Sequence, residues 1–308
     1  MTTSFKVDLR RGSVVNGKWR GAKYRVERLL GEGANGKVYL VQRGAEWLAL
    51  KVGADSIDLQ SEINVLRSLA GAKKRSAEAF LYDVDDWRAP DGTEYPFYTM
   101  KYVRGTTVAA YLQRFGREWF PLAALNLLKK LAELHASGWI FGDLKVENVM
   151  VSDYGYVELV DFGGATAAGK SVRQFTEIYD RGYWNEGSRS ADYQYDLFSF
   201  AVLCIQLHEP KRLHELSRSL LPQNRSAEDL MGIVDHCAAL KPLSAWLRRA
   251  LTGGFRHAGE AAEAWRQLMH RKRYPHRSSV MPGWLKGLAA VSSVLLAVSL
   301  YWLLRNMM

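Results

Sequence analysis

The sequence predicts an α+β fold, an antiparallel strand-rich first part and a mainly helical second part, followed by one C-terminal transmembrane helix. Three observations carry that expectation. Strand patterns fill the first hundred residues around glycines 31, 33 and 36, a compact polar hairpin occupies residues 139–163, and apolar helical stretches dominate the remainder. With 308 residues, the chain is long enough for a large core or for two lobes.

Residues 1–22 are polar and contain glycine, and they read as a loose lead-in. KYRVERLL (23–30), VYLVQR (38–43) and WLALKV (47–52) read as three strands, the first two joined by a glycine-rich turn and the last two by a turn at 44–46. Three glycines between two strands permit a tight turn whose backbone amides can approach phosphate oxygens. A strand-to-strand setting, with Lys51 on the next strand, separates this motif from the strand-to-helix turn of dinucleotide folds.

SIDLQSEINVLRSLAG (56–71) has Ile57, Ile63, Leu66 and Leu69 at near-helical spacing and closes on Gly71. On such a helix Glu62 can reach Lys51. FLYDVDDW (80–87) and PFYTMKYV (96–103) read as strands across an APDGTE turn. Residues 122–135 form a helix after Pro121, with His135 expected to cap or pack at its end. Residues 192–209 form a second, strongly apolar helix, and 225–270 read as further short helices.

The hairpin WIFGDLKVENVMVSDYGYVELVDFG carries the chemistry. VENVMV (146–151) and YVELV (156–160) read as strands turning through Asp153, Tyr154 and Gly155, so the polar residues at their outer ends converge. Asn148 and Asp161 offer hard oxygen ligands of the kind Mg²⁺ takes, and Asp143 is a carboxylate able to accept a hydroxyl proton.

The formal charge of +10 is uneven: seven basic residues follow the last acidic one, Glu263, leaving +3 for residues 1–263. The basic excess therefore belongs to the tail, and no nucleic-acid partner is expected. Residues 287–304 carry no charge and would span about 27 Å as a helix. Trp284, Tyr301 and Trp302 stand where interfacial anchors are expected, and RKRYPHR (271–277) before the run predicts that the N-terminal side stays in the cytoplasm. A single-pass membrane protein follows, with a basic juxtamembrane linker over 271–283 and a transmembrane helix over 284–304. Cys204 and Cys237 have no paired spacing and read as buried thiols of a reducing compartment.

Taken in order, the glycine-rich turn, Lys51, Glu62, GDLKVEN and DFG resemble the protein kinase superfamily, and the short loops resemble its bacterial serine/threonine members. The resemblance implies a two-lobed protein-kinase-like fold over residues 23–270, with an N-lobe over about 23–103 and a C-lobe over about 104–270. It implies ATP and Mg²⁺, with Mn²⁺ as an alternative metal, and a protein acceptor bearing Ser or Thr. Gly31, Glu32, Gly33 and Gly36 would cover the phosphates. Val38, Ala49, Met100, Lys101 and Val103 would hold adenine, with Met100 at the gatekeeper position. Lys51, oriented by Glu62, would contact the phosphates; Asn148 and Asp161 would bind metal; Asp143 would be the base and Lys145 would steady the γ-phosphate. Asp196 resembles the buried aspartate beneath the catalytic loop, and Arg256 resembles an arginine that pairs with the glutamate closing the activation segment, here Glu186.

The chain departs from the family where His-Arg-Asp is usual, having Phe141-Gly142-Asp143. Without an arginine beside the base, activity independent of activation-loop phosphorylation is expected. The usual Ala-Pro-Glu is Trp184-Asn185-Glu186, and Thr176, Tyr179 or Asp180 could occupy the peptide-docking position. Three function classes follow: a serine/threonine protein kinase, a small-molecule or lipid-sugar kinase, and a nucleotide-binding pseudokinase scaffold. Retention of Lys51, Asp143, Asn148 and Asp161 speaks against the scaffold, which does not need all four.

Overall fold

In the computed structural model, residues 7–33, 36–53, 56–72, 80–173 and 175–273 are described, together with Ser292, Trp302 and Arg305. Residues 1–266 form one compact unit and residues 267–308 a second. The first unit opens with strands β1 (Val14–Asn16), β2 (Lys23–Gly33), β3 (Gly36–Arg43) and β4 (Glu46–Gly53), then helix α1 (Ser56–Ala72) and strands β5 (Leu81–Arg88) and β6 (Glu94–Lys101). These strands make one antiparallel sheet in the order β1-β2-β3-β4-β6-β5. Period-two alternation buries Tyr24, Val26, Tyr39, Val41, Leu48, Leu50, Val52 and Phe97 on one face of it.

Gly36 shows why the turn between β2 and β3 needs glycine. Its φ is +141°, and a Cβ there would lie 2.1 Å from the Val52 carbonyl oxygen. An L side chain meets both a strained dihedral and a backbone clash.

The expectation of a loose lead-in is corrected from residue 7 onward. Val7 and Val15 are buried in the sheet's core, and the Tyr39 hydroxyl donates to the Val7 carbonyl at 3.2 Å. The Trp19 and Arg20 amides each donate to the buried Asp85 carboxylate at 2.9 Å, and the Arg20 guanidinium pairs with buried Asp83 at 2.9 Å. Two carboxylates on β5 thus fold the lead-in over the sheet, a link made across more than sixty residues of sequence.

Beyond residues 101–103, the hinge that links the two lobes, come β7 (Thr106–Thr107), α2 (Val108–Phe115), α3 (Phe120–Ala136), β8 (Trp139–Ile140), β9 (Val149–Val151), β10 (Val157–Leu159) and β11 (Thr166–Ala167). The helices α4 (Tyr193–His208), α5 (Pro210–Ser219), α6 (Ala227–His236), α7 (Ser244–Leu251) and α8 (Ala258–Arg273) follow. Strands β10, β9 and β7 form a small antiparallel sheet, and β11 pairs with β8. The helical core is aromatic: Phe120, Phe200, Trp246 and Trp265 meet edge to face, and the Trp265 indole N–H donates to the Pro121 carbonyl at 2.9 Å. The two-lobed arrangement, β-rich then helical, is the one the sequence predicts.

Two boundaries differ from the sequence reading. Residues 146–148 are a 3-10 turn rather than the start of a strand, because the Asn148 side chain reaches back to the Asp143 carbonyl. The turn expected at residues 153–155 is formed, also as a 3-10 turn, with Tyr154 at φ 59°. Helix α8 continues to Arg273, three residues into the stretch expected to be linker. The rest of that linker, and the membrane helix expected over 284–304 apart from Ser292 and Trp302, lie outside the described residues. Among the described residues, no helix is long and apolar enough to cross a membrane.

Candidate active site

Register places the predicted nucleotide residues on one face of the sheet. Val38 opposes Lys51 across β3 and β4, Lys51 opposes Tyr98, and Ala49 opposes Met100 across β4 and β6. Directly opposed antiparallel residues share a face, so Val38, Ala49, Lys51, Tyr98 and Met100 all point the same way. Gly31, Glu32 and Gly33 end β2 and are exposed, and Gly36 opens β3. Glu32 pairs with Lys37 at 3.5 Å across the glycine-rich turn, whose residues 34 and 35 lie outside the described residues. Lys101 and Val103 follow at the hinge, half-buried, with the Lys101 amide donating to the Phe80 carbonyl at 2.8 Å.

Lys51, buried with Glu62, is the centre of a charge network. Its Nζ lies 2.7 Å from Glu62 Oε2 and 3.0 Å from Asp161 Oδ1. The other Glu62 oxygen, Oε1, accepts from the Phe162 amide at 3.1 Å. One carboxylate therefore joins α1, β4 and the turn after β10. Burial works against the Lys51 charge, but Glu62 and Asp161 outweigh it and hold its pKa above the ordinary lysine value. Burial likewise works against ionisation of Asp161, and Lys51 overcomes it, holding this carboxyl below its ordinary value. Burial and the Glu62 carboxylate push the Tyr98 phenol well above its ordinary value, which keeps it neutral beside the pair.

Asp161 sits at φ 61°, a left-handed backbone that only a shaped turn imposes on an aspartate. Phe162 packs edge to face on both Phe80 and Phe141, at 5.6 and 5.5 Å, so Phe141 is part of the apolar support of this turn. Beneath the loop, Asp196 is fully buried and accepts from the Phe141 amide at 2.8 Å and the Gly142 amide at 2.9 Å. His135 is a third partner, its Nε2 lying 2.8 Å from Asp196 Oδ2, a more specific role than the cap or packing residue expected of it.

Asp143 is gripped from three sides. Lys145 Nζ lies 2.5 Å from Oδ2, the Thr176 hydroxyl donates to Oδ1 at 2.8 Å, and Asn148 Nδ2 donates to the Asp143 carbonyl at 2.9 Å. Thr176 is thus the residue, of the three named for the docking position, that touches Asp143. Tyr179 is buried, and Asp180 turns inward to Arg189, Tyr195 and the Gly182 amide. The expected Arg256–Glu186 pair does not form. Arg256 pairs with Glu260 at 3.2 Å, one helical turn away, while Glu186 Oε1 accepts from the Ala227 amide at the start of α6. Arg181 makes the tie in that region instead, bidentate to Asp192 at 2.8 and 2.6 Å.

Asn148 and Asp161 fit a hard divalent cation by their donor chemistry. Asn148 commits its Nδ2 to Asp143, which leaves the amide oxygen as the available ligand, and Asp161 Oδ2 has no hydrogen-bond partner among the described residues.

The protein kinase domain profile matches residues 24–252. This chain belongs to the protein kinase family. As a family member it is a phosphotransferase. The "Serine/threonine-protein kinase YabT" of Bacillus subtilis is 35% identical to this kinase over 286 residues, which cover 91% of this chain and 82% of the relative. PknA of Corynebacterium glutamicum, named a serine/threonine-protein kinase, is 30% identical over 158 residues, 48% of this chain and 34% of that protein. Among solved structures, vaccinia related kinase 3 matches with a TM-score of 0.61 at 16% identity, over 89% of this chain and 94% of that one, a likeness of fold.

Proposed function

We propose that this kinase transfers the γ-phosphoryl group of ATP to serine or threonine hydroxyls of proteins. The observation that carries this reading is the ring around Asp143: Lys145 and Thr176 hold its two carboxylate oxygens, within the loop that Asp196 supports from below. In it, Asp143 accepts the proton of the attacking hydroxyl, and Lys145 steadies the phosphoryl group being transferred. Lys51, oriented by Glu62, contacts the nucleotide phosphates under the glycine-rich turn. Asn148 and Asp161 would hold Mg²⁺, whose chemistry there would be neutralisation of the charge on the transferred group. Val38, Ala49 and Met100 enclose the adenine, with hinge backbone at Lys101 and Val103.

The same reading includes activity without activation-loop phosphorylation, because Gly142 supplies no cation beside the base. It also includes a single-pass anchor over 284–304 that leaves the catalytic unit on the cytoplasmic side.

The test incubates full-length protein with Mg-ATP labelled at the γ-phosphate and with α-casein, followed by phosphoamino-acid analysis. Label on serine or threonine supports the proposal, and label on tyrosine alone, or none on protein, overturns it. Phosphatase-treated enzyme should keep its activity, as should Ser171→Ala; loss in both would refute the phosphorylation-independent part. Thr176 is unsuited to that test because it touches Asp143.

A further inference from the structure

Resting on the phosphotransfer reading, the position of α1 decides activity, because α1 carries Glu62. Two side chains of the helical lobe reach α1 directly. Arg173 Nη1 donates to Ser61 Oγ at 2.6 Å, one residue before Glu62, and the Trp139 indole N–H donates to Ser68 Oγ at 3.0 Å. Ser61 and Ser68 are seven residues apart, two helical turns, and so lie on the same side of α1.

Arg173 reaches out from fixed backbone. Gly169 N donates to Ala191 O at 2.8 Å, Ala191 N to Lys170 O at 2.7 Å and Val172 N to Arg189 O at 2.9 Å. Val172 is buried with Ile140, Ala191 and Tyr195. The segment is thereby sewn to the lobe below by main-chain bonds. At the position next to the base the backbone excludes a side chain: Gly142 has φ +78°, and a Cβ would stand 2.6 Å from the Gly164 carbonyl oxygen.

We propose that Arg173 is a positioning residue: by holding Ser61 from an activation segment already anchored in place, it fixes α1, and with it the Lys51–Glu62 pair, without a phosphate. The cation that orders this region is carried on the segment itself and turned toward α1, instead of standing beside the base to receive a modification.

The experiment compares full-length wild type, Arg173→Ala, Ser61→Ala, the double variant and Arg173→Lys at saturating ATP and α-casein. A charge-assisted hydrogen bond of this kind predicts a fall in kcat of about three- to tenfold in either single variant, with a smaller change in KM for ATP. The double variant should fall no further than the singles, and Arg173→Lys should recover part of the loss. Hydrogen exchange of the 56–72 amides, measured without nucleotide, should quicken in Arg173→Ala. Unchanged kcat and exchange, or single losses that multiply in the double variant, overturn the proposal. Should Arg173→Ala not fold, Ser61→Ala reads the same tether. Wild type without transfer activity would sink the phosphotransfer reading, while the exchange comparison would still decide the tether.

Discussion

Glu62 does two jobs with one carboxylate, steadying Lys51 through Oε2 and accepting the Phe162 amide through Oε1. Glu62→Gln keeps the volume and an acceptor but withdraws the charge from a buried lysine. The expected result is a kcat lower by about ten- to a hundredfold, read by steady-state kinetics, with folding retained because Asp161 still partners Lys51. Gly142 gives a second test at this scale. Its φ of +78° and the Gly164 carbonyl beside it predict that Gly142→Ala destabilises the protein by about 1–3 kcal/mol, read from urea unfolding. Asp143, Lys145, Asn148 and Asp161 were legible because they fall within one short stretch in which spacing and chemistry reinforce each other. Thr176 was only one of three choices, since it lies 33 residues from Asp143 and no local pattern marks it.

At the scale of elements, helix ends and strand edges are held by side chains from both near and distant sequence. Ser226 and Asp229 form a capping box at the start of α6, where Glu186 also accepts the Ala227 amide. Ser226→Ala should cost about 1 kcal/mol in urea unfolding and leave kcat unchanged. Tyr24 on β2 donates to the buried Asp83 carboxylate at 2.8 Å; burial, then this partner, pushes its phenol up to about 12. An unfolded tyrosine titrates near 10, so the fold holds the proton more tightly. That stability is fully present below pH 10 and is lost as pH rises from about 10 to about 12. Between pH 9 and 11 the urea midpoint should fall more in wild type than in Tyr24→Phe. Strands and long helices were legible from periodicity. Residues 7–22 were not, because their order comes from Asp83 and Asp85, far along the chain. The Arg256 assignment failed for a related reason: Glu260, one turn away, is a nearer partner than Glu186.

For the whole molecule, the order of motifs identified the fold because each fell in the right strand or helix setting, which isolated motifs do not provide. What no motif encodes is how the lobes are joined: Lys51 to Asp161, Glu62 to Phe162 and Arg173 to Ser61 span about a hundred residues each. The proposed anchor predicts that full-length protein stays with membranes through carbonate extraction and that a chain ending at residue 280 is released; release of both would remove the anchor from the account. The central claim is phosphoryl transfer with Asp143 as the base. It is tested most directly by kcat for full-length wild type and Asp143→Asn on α-casein with Mg-ATP, with nucleotide binding measured in parallel. The account predicts a loss of about a hundredfold to ten-thousandfold in kcat with nucleotide binding retained. Equal rates in the two proteins, or a wild type that binds nucleotide and transfers nothing, would contradict it.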